Sequence, residues 1–452
     1  MNRQVTPEGK GTAVSKTYQK TTGRGETASR DGAELVVPEQ LVVSLAEIAE
    51  SAKEGLLALS VGVGLQVMAS IMDEDVTALC GPRSRHNLGR AGYRHSAEQG
   101  SVTLGGRRVP VQRPRVRAAD GSGELALPSY RLFSATDMLG EMAMERMLAG
   151  LSTRRYRAGL EPVGAGVEAE AASTSKSAVS RRFVKATETG LAELMGQRLD
   201  VVDLVAIMVD GVHFGEHTCV VALGIDLDGV KHPLALEEGS TENARVVTDL
   251  LVGLRERGLD VTRPILAVID GSKALAKAIR DVFDQPVIHR CQLHKIRNVE
   301  AKLPKRLREV VVKRMRGAYR ADTALQAEGL LRELAAELDQ THPGAAASLR
   351  EGLPETLTVL RLGVPPTLAR TLRSTNAIES MISICRDHSE NVKRWRDGTM
   401  ALRWCAAGMG EATKQFRRVN GHLHLSKLRD TLNAQIAETV SATCQDDDRK
   451  VA

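Results

Sequence analysis

Two aspartates close apolar runs in the middle of this chain, and a third acid lies about a hundred residues further on. Asp210-Gly211 ends the unbroken apolar run Leu204–Val209, and Asp270-Gly271 ends Ile265–Ile269. If those runs are neighbouring strands, two carboxylates meet at one sheet edge, where hard oxygen donors suit Mg²⁺ or Mn²⁺. Asp-Gly is also an ordinary turn dipeptide. That reading suffices for Asp228-Gly229, while at Asp210 and Asp270 both readings stand. Glu379 follows Asn376 by three residues, a capping-box spacing with Asn as the cap. Its carboxylate either satisfies the first turn of a helix or reaches back to the sheet edge. Cys291 and His294 form a Cys-x-x-His element. This is half of a zinc ligand set with no second pair at finger spacing, so a structural role is favoured over metal binding.

The segments that must hold these groups are legible from their periodicity. Runs apolar on both faces at Leu204–Val209, Cys219–Ile225, Lys231–Leu236, Ile265–Ile269 and Val287–His289 predict buried strands. Thr241–Arg257 has helical spacing through Ala244, Val247, Leu250, Leu251 and Leu254, and Ser272–Phe283 is a second helix. The order β-β-β-α-β-α-β predicts a small mixed sheet with helices packed on it. Beyond it, Arg306–Tyr319 and Thr323–Leu338 predict an all-helical stretch, with Pro343 and Pro354 as breakers. Trp395 and Trp404 read as core anchors, and His213 and His289 as histidines satisfied locally.

The chain has 452 residues, enough for several domains, and a net charge of +6. The excess is uneven: Gly81–Arg117 holds nine arginines and one acid, Glu98. Such a block suits a polyanion, most simply nucleic acid. Ser101–Arg117 alternates like two strands around Gly105-Gly106, a hairpin dressed with Arg107, Arg108, Arg113 and Arg115. Aromatic residues are only 3%, so base-stacking platforms are not indicated. Asp137–Ala149, Ser152–Leu160 and, after the linker Val163–Ser173, Ser175–Leu194 predict three helices. The last would present Lys176, Ser180, Arg181 and Arg182 in the manner of a helix-turn-helix reading DNA. Six scattered cysteines exclude a disulfide framework. Met1–Arg30 is polar with no apolar core of a signal peptide and reads as disordered. Leu41–Leu79 predicts one or two helices, and its stretch Gly55–Met72 is too often interrupted by Gly, Ser and Gln to favour a membrane span.

Four ordered motifs carry a resemblance. They are Met208-Val209-Asp210-Gly211-Val212-His213, Val268-Ile269-Asp270-Gly271-Ser272-Lys273, Cys291-Gln292-Leu293-His294-Lys295-Ile296-Arg297-Asn298 and Ser374-Thr375-Asn376-Ala377-Ile378-Glu379. Together with Leu151-Ser152-Thr153-Arg154 and Ser175-Lys176-Ser177-Ala178-Val179-Ser180-Arg181, the chain from about Leu56 to about Leu432 resembles the mutator-type transposases of bacterial insertion sequences. One departure is local: Ser380–Cys385 is apolar and Ser-rich where that family continues with a basic, Asn-containing helix.

The resemblance implies a ribonuclease H-like catalytic domain with Asp210, Asp270 and Glu379 as a DDE triad and metal-ligand set. Mg²⁺ (or Mn²⁺) would be the cofactor, two ions roughly 4 Å apart serving an in-line phosphoryl displacement. It implies partners of double-stranded DNA at element ends and target, a homo-oligomer on DNA, and a cytoplasmic, nucleoid-associated protein. The domains expected are a tail over 1–30, a helical and β-hairpin basic domain over 31–130, and a helix-turn-helix domain over 131–200. A catalytic domain over 201–290 and 373–432 would be interrupted by a helical insertion over 291–372, with a tail over 433–452. A silent DNA-binding derivative, or another ribonuclease H-like nuclease, is the alternative.

Overall fold

The structure, a computed structural model, describes residues 55–435 apart from 86, 88 and 242. The expectations for the tails, and for residues 41–54 of the first helical stretch, lie outside the described residues. Helix α1 (Leu56–Cys80) runs unbroken through the Gly- and Ser-interrupted segment. No helix among the described residues is long and apolar enough to cross a membrane.

Strands β1 (Gly92–Leu104) and β2 (Arg107–Ala118) pair antiparallel, with Leu104 opposite Arg107. Gly105 (φ 54°) and Gly106 (φ 79°) supply the two positive φ angles of a tight type I′-like turn. The hairpin starts nine residues before Ser101, the start read from alternation. Tyr93 to Glu98 lacks apolar alternation, and its register slips between Arg94 and Ala97. A short β3 (Glu124–Leu125) extends the sheet, and α1 covers it through Val76, Cys80, Val116 and Leu127.

After α2 (Pro128–Ser134) and α3 (Asp137–Leu148), the expected helix Ser152–Leu160 is absent. Turns and one 3-10 turn (Arg157–Gly159) replace it. Nine residues are too few to sustain a helix alone, and Tyr156 and Leu160 instead drop into the core beside Val179 and Phe183. The expected linker holds a short helix, α4 (Ala165–Glu170). Helix α5 (Lys176–Gly196) starts on Ser175, whose Oγ accepts the Ala178 N–H.

The main sheet has the order β6-β5-β4-β7-β8. Strands β4 (Leu204–Phe214), β5 (His217–Asp226) and β6 (Lys231–Glu238) are antiparallel; β7 (Ile265–Ile269) and β8 (Pro286–Arg290) run parallel to β4. Parallel neighbours need a crossover; α6 (Ala244–Glu256) and α7 (Lys273–Val282) supply the two. Both pack on one face, against Ile207, Val209, Ala267 and Ile269. Asn243 caps α6 by accepting the Arg245 N–H.

Helices α8 (Gln292–Ala301), α9 (Lys305–Ala318), α10 (Ala324–Asp339), α11 (Pro343–Arg350), α12 (Leu353–Thr356), α13 (Thr358–Arg361) and α14 (Pro366–Leu372) separate β8 from the last elements. Most of this stretch has its own core around Met315, Leu331, Leu334 and Leu349. Pro343 and Pro354 open helices rather than break them. At the first helical positions the missing N–H costs nothing and the fixed φ is already helical. Finally α15 (Asn376–Ser389) and α16 (Gly398–Gln415) cover the other face of the sheet, and a helical segment spans 425–435.

Candidate active site

The register places the first two carboxylates. Ala206 pairs with Leu266 and Met208 with Val268, so the constant offset sets Asp210 level with Asp270 at adjacent strand ends. Neighbouring strands stand about 5 Å apart. Alternation puts Asp210 on the face of Ala206 and Met208, and Asp270 on the face of Leu266 and Val268. All four of those apolar residues pack in the core that includes Ile378, Met381 and Ile382 of α15. Glu379 is one residue along from Ile378 and half-buried. Three acids, distant in sequence, therefore come to one end of the sheet.

Asp210 Oδ1 accepts the Gly211 N–H at 2.7 Å, and Asp270 Oδ1 accepts the Ser272 N–H at 2.9 Å. Burial raises the Asp210 carboxyl above its ordinary range; Asp270 and Glu379 add to this, while the Gly211 bond and His294 oppose it. Among the described residues the three acids are not drawn into a single shell; the potential ligand atoms that lie within 4.8 Å of one another are those of Cys291, His294 and Glu379.

A cavity of about 770 Å³ opens at this place, lined by Asp210, His213, His294, Arg297, Glu379 and Arg386 among others. Sequence reading missed Arg297 and Arg386 as site residues. The signal was present for Arg386, which lies seven residues after Glu379 and so on the same helix face two turns on. Both guanidinium groups belong to exposed residues. His213 is exposed, its Nδ1 lying 2.8 Å from Thr218 Oγ1. His289 is wholly buried on β8, and burial pushes it down to about 4, so it is neutral.

The cap of α15 differs from the expected one. Thr375, not Asn376, is the N-cap residue, and Asn376 is exposed. Glu379 does not return to a cap N–H; its Oε1 accepts the Thr375 hydroxyl at 2.6 Å. The same Oγ1 lies 3.4 Å from Cys291 Sγ and 3.3 Å from His294 Nδ1. Hydrogen bonds from His294 and Thr375 outweigh burial and lower the Cys291 thiol, while the Cys291 partnership raises His294.

The candidate DNA-contact residues fare unevenly. Arg107 is 2% exposed and pairs with Glu168 at 2.6 Å, so it is withdrawn as a DNA contact. Arg108 spends its guanidinium on Ser101, Thr103 and the Ser134 carbonyl. Arg113 and Arg115 are half-buried and share Glu98 and Glu124. The arginine block looked unbalanced because Glu124 and Glu168 lie outside it in sequence and return to it in space. On α5, Lys176 and Arg181 are exposed, Ser180 is partly so, and Arg182 donates to the Ser173 carbonyl. Val179 and Phe183 of that helix face Trp404 of α16, and the Phe183 and Trp404 rings lie 4.6 Å apart. Trp395 stacks on Phe214 at 4.9 Å, so both tryptophans anchor the core as expected.

A family model described as "Transposase, Mutator family" matches residues 38–419. The chain is 30% identical over 281 residues to the transposase for insertion sequence element IS6120 of Mycolicibacterium smegmatis, covering 60% of this chain and 84% of that protein. It is 25% identical over 366 residues to the transposase for insertion sequence element ISRM5 of Rhizobium meliloti, covering 81% and 89%. It is 27% identical over 274 residues to the transposase for IS256 in transposon Tn4001 of Staphylococcus aureus, covering 58% and 67%. With most of its length inside one family model, the chain belongs to the Mutator family of transposases.

Proposed function

We propose that this transposase cuts and joins DNA through a DDE triad of Asp210, Asp270 and Glu379 that holds Mg²⁺ or Mn²⁺. The observation that carries the reading is the convergence of the three acids on one sheet end, two by strand register and one from the helix packed over it. The donor set is all carboxylate oxygen, as hard divalent ions require. Asp210, Asp270 and Glu379 would hold such ions, which would supply Lewis-acid charge stabilisation for an in-line phosphoryl displacement. The domain reads as ribonuclease H-like, its sheet of three antiparallel and two parallel strands interrupted by the helical insertion before Glu379.

The chain's own residues supply the rest. Asp210 and Asp270, fixed by strand ends and by bonds from Gly211 and Ser272, present oxygens that do not have to be reorganised when DNA arrives. Arg297 and Arg386 line the cavity on two different helices and hold backbone phosphates on either side of the scissile one. One site serves two steps, since water frees a 3′-hydroxyl at an element end and that hydroxyl then attacks target DNA. Lys176 and Arg181, with Ser180, give α5 an exposed basic start that contacts the element ends. Because two ends must be joined, the acting species on DNA is a homo-oligomer.

The test is strand transfer with end-sequence DNA and Mg²⁺. Asp270→Asn is expected to bind end DNA normally and to lose transfer by about 10³-fold or more, the several kcal/mol of charge stabilisation that ions supply. Undiminished transfer by that variant removes the triad from the mechanism.

A further inference from the structure

We infer that the Thr375 hydroxyl is the group that positions Glu379, and that the Cys291–His294 pair serves as its scaffold rather than as a metal site. The inference rests on the triad reading and extends it to residues that do not touch DNA.

Thr375 is fully buried and sits at the centre of the cluster. A threonine hydroxyl has one proton to donate. The shortest contact, 2.6 Å, and the anionic acceptor both assign that proton to Glu379 Oε1. With its proton so committed, the hydroxyl oxygen lies 3.4 Å from Cys291 Sγ and 3.3 Å from His294 Nδ1, where an imidazole N–H can donate to it. Among the described residues no hydrogen bond reaches Glu379 Oε2. One carboxylate oxygen is thus pinned by the protein and the other is left for a ligand.

The pin is continuous with the strand that carries the second aspartate. The Cys291 N–H donates to the Ile269 carbonyl at 2.7 Å, next to Asp270. The Thr375 N–H donates to Cys291 Sγ at 3.5 Å, and the Gln292 N–H to the Arg373 carbonyl at 3.0 Å. The insertion leaves the sheet at Cys291 and returns at Arg373, so these bonds close its neck and fix Glu379 relative to Asp270. Cys291, His294 and Glu379 alone would make a three-ligand soft-metal cluster, their ligand atoms lying within 4.8 Å of one another. The Glu379 oxygen that faces this pair, Oε1 at 3.8 Å from His294 Nδ1, is the one already bonded to the Thr375 hydroxyl.

The experiment compares Thr375→Val, which deletes the hydroxyl at constant shape, with Thr375→Ser, which keeps it, in the full-length protein. The readouts are Mn²⁺ binding by electron paramagnetic resonance, binding of end DNA, thermal melting and cleavage. Loss of an outer partner of a ligating carboxylate weakens metal about 10- to 100-fold. The valine variant is expected to show that loss in Mn²⁺ affinity and in cleavage, with DNA binding and melting held, and the serine variant to recover both. Should the valine variant not fold, alanine against serine at this position isolates the same oxygen. Wild-type Mn²⁺ affinity in Thr375→Val while Asp270→Asn is inactive overturns this inference alone. Cleavage by Asp270→Asn overturns the triad reading itself. One equivalent of zinc in the purified protein, released by Cys291→Ala, also overturns the scaffold role.

Discussion

Asp210 and Asp270 stand level on adjacent parallel strands, each two residues beyond the Met208–Val268 pair. The arrangement works against the fold. Burial first, then the charges of Asp270 and Glu379, raise the Asp210 carboxyl. A carboxylate raised on folding keeps its proton to higher pH in the folded state than in the unfolded one. The folded state therefore loses stability as pH climbs through that interval. Asp210→Asn is expected to melt above wild type at pH 8 in chelator, the difference shrinking as pH falls below the carboxylate range. Mg²⁺ should raise the wild-type melting temperature more than that of the variant. Scanning calorimetry reads both, and a variant less stable than wild type at pH 8 contradicts the account.

Among the described residues, Arg297 and Arg386 carry no carboxylate partner, and both line the cavity. Their charges are available to DNA. Substituting either with alanine should weaken DNA held at the active site and lower the salt dependence of binding by about one ion per side chain. Filter binding over a salt series measures this; an unchanged slope in both variants excludes phosphate contact.

The same measurement separates the arginines of the hairpin from the basic start of α5. Arg107 is buried against Glu168, so Arg107→Ala is expected to lower the melting temperature through lost packing and a lost ion pair, while Glu168, partly exposed, keeps Arg157. The salt slope should not move. Lys176→Ala and Arg181→Ala, both exposed, should lower the slope and leave stability alone.

His289 gives the fold an acid-side limit. Burial holds it at about 4 against an ordinary 6.5. Because the folded value is depressed, the unfolded chain binds more protons between those two values. The contribution is fully present above pH 6.5 and lost as pH falls towards 4, on the order of 3 kcal/mol in all. His289→Gln should flatten the stability curve across that interval in urea titrations, whatever it does to absolute stability.

How much of this could be read from the sequence varied with the physics behind each element. Runs such as Leu204–Val209 and Ile265–Ile269 are buried on both faces, and that demand leaves a continuous apolar signature which located the strands and their terminal aspartates. Strand neighbours are set by long-range pairing, so the Asp210–Asp270 level could only be posed as a condition. The role of Glu379 was undecidable because a capping box and a site acid share one spacing; Thr375 taking the cap removes the capping-box reading. The arginine block misled because its countercharges, Glu124 and Glu168, are remote in sequence. Ser152–Leu160 failed as a helix since Tyr156 and Leu160 are claimed by tertiary packing.

The position of Glu379 also depends on how closely α15 lies on α16. A Cβ built at Gly408 would come 2.7 Å from the Cys385 Cα, a backbone atom that cannot rotate away. Gly408→Ala must therefore push the two helices apart. Overpacking of this kind costs about 1–3 kcal/mol, and alanine's better helix propensity returns up to about 1 kcal/mol of it. The displaced helix is the one that carries Glu379, six residues before Cys385, so cleavage should fall further than the stability loss alone explains. Gly410→Ala, on the same helix with open space around it, is the control and should leave both unchanged or slightly raise the melting temperature. Cleavage rates measured well below the melting temperature of each variant separate the two effects. Full activity in Gly408→Ala would show that the site tolerates movement of α15, and that Glu379 is held by its Thr375 contact rather than by the packing of its helix.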